Sequence, residues 1–213
     1  MIRPYGGYTD YRAFWHELGH AQHFGNAAEG LPFEHRWLGD NSVTEGFAML
    51  FERMVLAEPW LARYAGLADE RRRAFARTQA TVHLAMLRRY AAKLRYELEL
   101  QRSPTVNAGA ETYAPLLTEA TGFRYAPEDA LLDLDDGFYA ARYLRAWKLE
   151  AVLAAHLTER HDEDWFRNPH CGPTLLELFA PGQRDDAATL AEKVLARALD
   201  FAPLIARVES ALG

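Results

Sequence analysis

Cysteine is nearly absent from the sequence, since Cys171 is the only one among 213 residues. An internal disulfide is therefore impossible, and so is a metal site built from several thiolates. A chain without disulfides fits a reducing compartment. The first fifteen residues also lack the apolar core of a secretory signal peptide. We therefore expect a cytoplasmic protein.

Long apolar runs and basic clusters are scarce as well. No segment reaches the roughly 20 consecutive apolar residues that a membrane-spanning helix needs, so we expect no membrane partner. The formal net charge is -6, whereas nucleic-acid binders concentrate lysine and arginine on one face. The one basic run, residues 71–73, lies among helix-forming residues and is typical of a solvated helix face. We expect no nucleic-acid partner.

What the sequence does contain is apolar residues at helical spacing. We predict a mainly α-helical single domain over residues 1–213, with at most a short strand near residues 2–8. Two early helices should fall within about 9–57, the first capped by Thr9 and the second opened by Ser42 and closed by Pro59. Later helices are predicted at about 69–101, 110–121, 127–132, 137–157, 173–180 and 186–211.

The stretch HELGHAQHF, residues 16–24, carries two histidines four positions apart. In an α-helix, His16 and His20 lie about 40° apart around the axis and about 6 Å apart along it. Both imidazoles can then converge on one metal ion. A helix with hydrogen-bonded histidines at a polar interface would show the same spacing, so a third ligand is needed to favour the metal.

Two further residues belong to this motif. Glu17 points about 80° from the mean direction of the two histidines, beside the metal, where a carboxylate can act as general base. His23 lies about 10 Å along the axis from His16, too far for both to bind one ion. It would instead contact a ligand residue, face the substrate or lie at a helix interface.

Catalytic zinc uses three protein ligands and keeps one position open. A metzincin would place its third histidine at Asn26, so that class is excluded. The alternative is a glutamate from the next helix, and Glu45 lies 25 residues after His20, near a predicted helix start. Glu45 also fits a capping box, in which it would only accept a hydrogen bond from the Ser42 amide.

Glu52 follows Glu45 by seven positions, on the same helix face in an otherwise apolar stretch. An unpaired carboxylate would be costly there. A hydrogen bond that orients a ligating imidazole would account for Glu52, and so would exposure to solvent.

These segments together resemble the active-site region of the thimet oligopeptidase and oligoendopeptidase F family, zinc peptidases of the gluzincin type related to angiotensin-converting enzyme. The likeness rests on HELGHAQHF, on NSVTEGFAMLFE and on the approach GGYTDYRAFW. It implies that His16, His20 and Glu45 bind zinc and that Glu17 is the general base. Glu52 matches a carboxylate that family members carry seven residues after the third ligand.

A later segment, GFYAARYLRAW, resembles the family helix whose tyrosine stabilises the tetrahedral intermediate. The resemblance makes Tyr143 the candidate oxyanion donor. It adds Arg142 and Tyr139, on the same predicted helix at about 137–157, as candidates for substrate contact. Considered without the resemblance, an aromatic stripe on a helix is more typical of a core.

The likeness extends over nearly the whole chain and corresponds to the C-terminal half of a family member. It implies a helical gluzincin-like half-domain and a zinc-dependent peptidase that hydrolyses oligopeptides with metal-activated water. The alternative is a non-catalytic zinc-binding helical module, or a truncated peptidase remnant, that acts through protein partners. Besides peptide substrates, the expected partners are a second copy of the chain or a missing N-terminal half.

Overall fold

The structure, a computed structural model, describes residues 3–213. Helices dominate these residues, and no β-strand occurs among them. The prediction of a mainly α-helical chain is confirmed. Residues 3–7 precede the first helix without forming a strand. The strand considered near residues 2–8 is therefore absent from residues 3–8, and residue 2 lies outside the described part of the chain.

Eleven α-helices follow one another in residues 3–213. Their bounds are α1 Tyr8–Gly25, α2 Phe33–Trp37, α3 Asn41–Met54, α4 Glu58–Arg63, α5 Asp69–Arg102, α6 Val106–Ala110, α7 Tyr113–Thr121, α8 Tyr139–His161, α9 Cys171–Phe179, α10 Ala187–Thr189 and α11 Ala202–Leu212. Short 3₁₀ helices occupy Pro127–Asp129 and Trp165–Arg167, and a π-helical turn, Leu190–Val194, continues α10. The long α5 and the apolar α8 lie close to their predicted positions.

The start of α1 differs from the prediction. Gly7, with a φ of 87°, occupies the N-cap position, so the prediction that Thr9 caps this helix is wrong. Asp10, in the first turn, accepts hydrogen bonds from the backbone amides of Tyr5 and Gly6 at 2.6 to 3.1 Å. An acidic residue at this position also interacts favourably with the helix dipole. The carboxylate thus ties the preceding loop to the helix.

Two prolines lie in the first turns of helices that the sequence analysis did not expect to begin there. Pro59 lies in the first turn of α4, where a residue without an N–H is tolerated, and α3 already ends at Met54. Pro203 likewise lies in the first turn of α11. The single helix predicted over 186–211 is wrong, because a proline breaks a helix interior and residues 195–201 are non-helical.

The chain divides into two compact units. Unit 1 comprises Met1–Gln79 and Arg145–Gly213, and unit 2 comprises Ala80–Leu144. The expected single domain over residues 1–213 stays a prediction.

Each unit has a core of its own. In unit 1, the buried Phe47 and Leu50 of α3 belong to one apolar cluster with Leu153 of α8. In unit 2, a smaller cluster includes Tyr96 of α5 and Leu117 of α7. The core of unit 1 therefore fixes α3, the helix that carries Glu45 and Glu52 and on which α1 rests.

Candidate metal centre

Helix α1 presents the two motif histidines on one face. The rings of His16 and His20 have centroids 4.9 Å apart and planes inclined at 84°. Their side chains are 18% and 21% exposed, respectively. A spacing of four residues brings both imidazoles to the same place on the helix surface, as helix geometry requires. Both remain accessible to a small solute.

Helix α3 supplies the carboxylate of Glu45. Asp40 caps this helix, and its Oδ1 accepts a hydrogen bond from the Ser42 amide at 3.0 Å. Because the Ser42 amide is already paired with Asp40, the capping-box role considered for Glu45 is wrong. Glu45 is 8% exposed, and a carboxylate at that burial needs positive charge or hydrogen-bond donors beside it.

Ligand atoms of three residues converge between these helices. The Nε2 atoms of His16 and His20 lie 3.5 and 3.9 Å from oxygens of Glu45. One ligand atom from each residue lies within 4.8 Å of the other two. Bonds of about 2.1 Å to a tetrahedral zinc would place ligand atoms roughly 3.4 Å apart. Small side-chain rotations would therefore bring the set to zinc-binding distances.

The ring of His16 is fixed at its other nitrogen. Its Nδ1 donates a hydrogen bond to Glu52 Oε2 at 2.9 Å. The second oxygen of Glu52 accepts a hydrogen bond from Arg12 Nε at 2.6 Å. With a proton on Nδ1, Nε2, the nitrogen that faces Glu45, is the one that would bind a metal in place of its own proton. Of the two explanations considered for Glu52, the structure shows a hydrogen bond to an imidazole.

The ring of His20 is fixed by a neutral group. Its Nδ1 lies 2.9 Å from the Thr44 hydroxyl oxygen. Thr44 is 6% exposed and directly precedes Glu45 on α3. Neither Thr44 nor Arg12 emerged as a site residue from the sequence analysis. The only sequence signal for them is position, since Arg12 lies one helical turn before His16.

The pKa values in this cluster reflect its two carboxylates. Burial lowers the pKa of His16, but hydrogen bonds to Glu45 and Glu52 outweigh burial and raise it to about 9. Burial lowers the pKa of His20 despite the nearby charge of Glu45. Burial opposes ionisation of Glu52, yet the hydrogen bond from His16 and the charge of Arg12 lower its pKa. The cluster therefore favours positive charge between α1 and α3, as a cation site must.

Two glycines allow the ligand helices to approach closely. A Cβ atom on Gly19 would lie 2.6 Å from Cα of Ala48 and 2.9 Å from the carbonyl oxygen of Phe47. A Cβ atom on Gly46 would lie 2.8 Å from the Leu149 side chain of α8. Glycine at these positions lets α1 rest directly on α3 and lets α3 rest on α8. The distances between the ligand residues depend on these contacts.

The two other candidate residues of the motif, Glu17 and His23, have contrasting surroundings. Glu17 is exposed on α1, directly after His16. His23 is fully buried: its ring centroid lies 4.8 Å from that of Phe47, and its Nε2 lies 3.2 Å from the carbonyl oxygen of Gly182. Burial lowers the pKa of His23 to about 4, so this ring is neutral. Of the alternatives considered for His23, the structure shows a position at an interior helix interface, closed to solvent.

The predicted tyrosines and arginine lie in unit 2, at the start of α8. The Tyr143 ring stacks on Tyr90 with centroids 5.4 Å apart, and the Tyr139 centroid lies 4.9 Å from that of Tyr143. The Arg142 guanidinium lies 5.9 Å from the Tyr139 centroid. These three residues therefore share one aromatic cluster. Their roles toward an oxyanion or a substrate stay predictions.

Unit 1 also contains a cavity of about 850 Å³ that the sequence analysis did not predict. Its size and aromatic lining are typical of sites for small molecules. On α1, the lining residues Tyr11, Phe14 and Trp15 lie about 160°, 140° and 120° around the helix axis from the mean direction of His16 and His20. The cavity therefore opens away from the histidine face. The aromatic lining residues are Tyr11, Phe14, Trp15, Phe51, Trp60, Tyr64, Trp165 and Phe166.

Within residues 3–213, no helix combines the length and the apolar character that crossing a membrane requires. Comparisons of the chain with models of protein families, with curated proteins and with solved structures find no match. The likeness of the motifs to the oligopeptidase family therefore stays a prediction. The observation that bears on function is the geometry of the histidine and glutamate cluster.

Proposed function

We propose that the chain is a zinc-dependent peptidase of the gluzincin type, in which His16, His20 and Glu45 hold the ion. The observation that carries the proposal is the convergence of three ligand atoms within 4.8 Å of one another. Calcium and magnesium prefer oxygen ligands, whereas imidazole suits zinc and its transition-metal neighbours. Two imidazoles with one carboxylate are also the ligand set of thermolysin-type catalytic zinc sites.

The hydrogen bonds behind the ligands support this assignment. Metal-ligating histidines almost always donate their second N–H to a carboxylate, a carbonyl or a water. Glu52 accepts that hydrogen bond from His16, and Arg12 in turn holds Glu52. At an ordinary polar interface, nothing requires two histidine rings to face the same buried carboxylate, as His16 and His20 face Glu45. The alternative of a metal-free polar interface is therefore the weaker explanation.

Within the proposal, each remaining residue has one task. Zinc in this site would act as a Lewis acid that lowers the pKa of water and polarises a peptide carbonyl. The exposed Glu17 would take a proton from the attacking water and return it to the leaving amine. The sequence resemblance assigns to Tyr143 the hydrogen bond that stabilises the oxyanion. It also assigns oligopeptides as the substrate class.

The test combines metal content with peptide hydrolysis. Purified protein should contain about one zinc per chain by elemental analysis, as expected for one set of three ligands, and H20A should lose it. E17Q should keep the zinc but cleave quenched fluorescent peptides about 10²–10⁴-fold more slowly, the usual contribution of a general base. E29Q, which changes an exposed carboxylate after α1, is the matched control. Equal cleavage by the unmodified chain and E17Q would contradict the peptidase proposal.

A second candidate is a non-catalytic module that binds zinc and acts through a partner. The aromatic cavity of unit 1 favours it, because the cavity offers an apolar binding surface that does not include the ligand residues. The same experiment separates the two functions. A folded chain that retains zinc but cleaves no peptide, alike in the unmodified form and in E17Q, would favour the module.

A further inference from the structure

We infer that Thr44 is a positioning residue that sets the orientation and the tautomer of His20. The inference rests on the proposed metal site but concerns a residue to which neither the motif nor the sequence resemblance gives a role. Its basis is the 2.9 Å separation between Thr44 Oγ1 and His20 Nδ1. Both residues belong to unit 1, on α1 and α3.

The chemistry follows from the two nitrogens of imidazole. A neutral ring carries one N–H, and it can ligate a metal only through the other nitrogen. His20 Nε2 lies 3.9 Å from Glu45, beyond hydrogen-bond distance, whereas Nδ1 lies 2.9 Å from Thr44 Oγ1. In the arrangement that we infer, the proton is on Nδ1 and the Thr44 hydroxyl oxygen accepts its hydrogen bond, which leaves Nε2 as the nitrogen that would ligate a metal. Without the hydroxyl, the Nδ1–H would be left without its partner in a mostly buried position.

The position of Thr44 on α3 couples the orientation of His20 to the placement of Glu45. Thr44 and Glu45 are consecutive on α3, so one helical turn both supplies a ligand and orients a second ligand from the opposing helix. The Asp40 cap and the close contact of Gly46 with Leu149 hold that turn in place. Movement of α3 would therefore displace the Glu45 carboxylate and the His20 ring together.

The two histidines are held by groups of different charge. His16 donates to the Glu52 carboxylate, which strengthens the ring as a ligand, whereas His20 has only a neutral hydroxyl. Thr44 thus acts on His20 through geometry and tautomer and adds no charge. This distinction predicts that any group able to accept the same hydrogen bond can replace the threonine.

The first experiment uses the unmodified, metal-free chain. With nitrogen-15 labelling at pH 8, long-range proton–nitrogen NMR spectra should assign the proton of His20 to Nδ1, with the H20A spectrum identifying the signals. A proton predominantly on Nε2 would overturn the inference. Because this measurement needs neither zinc nor activity, it can fail independently of the proposed function.

The second experiment compares T44V with T44S. T44V keeps the shape of the side chain and removes the hydroxyl, and we expect zinc affinity, measured by competition with a chelating dye, to fall about 10- to 100-fold. T44S should restore affinity to near the original value, and the cobalt absorption spectrum should change in T44V alone. T78V is the matched control, since Thr78 is an exposed residue of α5 whose hydroxyl donates to the Ala74 carbonyl.

The outcomes separate the two proposals. Zinc affinity and cobalt spectrum unchanged in T44V would overturn the inference while leaving the metal site intact. An unmodified chain that binds no zinc would refute the proposed function, and the NMR measurement would still decide the Thr44 contact. If T44V does not fold, either weakened affinity in a folded T44S or an Nε2 proton in the unmodified chain would overturn the inference.

Discussion

The Nδ1 atom of His16 lies 2.9 Å from the Glu52 carboxylate, although the two residues are 36 positions apart. Glu52 is itself held by Arg12, four residues before His16 on α1. The hydrogen bonds therefore run from α1 to α3 and back to α1. This arrangement fixes the ring plane and keeps Nε2 directed at Glu45, so Glu52 should influence metal affinity without binding the metal.

Replacement of Glu52 by glutamine should weaken zinc binding. The amide oxygen can still accept a hydrogen bond from His16, but it lacks the charge that makes the imidazole a stronger ligand. We expect a loss of about tenfold or more in affinity, measured by competition with a chelating dye. E58Q, which alters an exposed carboxylate paired with Arg72, should bind zinc like the unmodified chain. Equal affinities for E52Q and E58Q would contradict the role of Glu52.

Replacement of Gly19 by alanine should separate the two ligand helices. The new Cβ would meet backbone atoms of Phe47 and Ala48 at 2.9 and 2.6 Å, so the helices must shift. We expect unfolding in urea, with chelator present, to report a loss of about 1–3 kcal/mol. In G25A the Cβ meets nothing within 4 Å, and stability should hardly change. A G19A protein as stable as G25A would show that the close approach of α1 to α3 is unnecessary.

The buried His23 should make the stability of the metal-free chain depend on pH. Its pKa is lowered to about 4 in the folded state, against about 6.5 when unfolded. Between these values the unfolded chain binds a proton that the folded chain does not. Stability should therefore fall by up to about 3 kcal/mol as the pH drops from about 6.5 to about 4.

The variant H23Q tests this dependence, because glutamine does not titrate and can still donate to the Gly182 carbonyl. Urea unfolding at pH 7 and pH 4.5, with chelator present, should show a smaller loss of stability for H23Q. The raised pKa of His16, about 9, stabilises the fold fully below about pH 6.5 and so does not alter this comparison. A loss equal to that of the unmodified chain would rule out His23 as the titrating group.

Removal of the Tyr143 hydroxyl should affect turnover and leave zinc binding unchanged. If the phenol stabilises the oxyanion, Y143F should cleave peptides about 10²–10³-fold more slowly, the usual effect of losing one such donor. The dye competition assay should give the same zinc affinity for Y143F and the unmodified chain. Y5F alters an 81% exposed tyrosine and serves as control. Cleavage by Y143F at the rate of Y5F would leave the aromatic cluster of unit 2 with a purely structural role.

Features that depend on residues close together in the chain could be predicted from the sequence. The spacing of apolar residues located α5 and α8, and the four-residue spacing of His16 and His20 placed both rings on one face. The choice of Glu45 over other carboxylates also agrees with the observed cluster. That choice used the length of the loop and the start of the next helix, both of which are visible in the sequence.

Features that depend on packing between distant segments could not be predicted. The burial of His23 depends on contacts with Phe47 and Gly182, and the latter lies 159 positions away. Asp40 and Ser42 are both good cap residues, and only the backbone geometry decides between them. Thr44 resembles any other helical threonine until α1 is laid against α3. These positions required the tertiary structure.

The close contact between α1 and α3 has a consequence for the stability of the chain. His16 and Glu45 are 29 positions apart, so a cation held by both would link two segments that are separate in the sequence. Because the unfolded chain lacks the assembled site, such a cation would stabilise the folded state over the unfolded chain. We therefore expect zinc to raise the urea concentration at the midpoint of unfolding, and H20A to lose this effect.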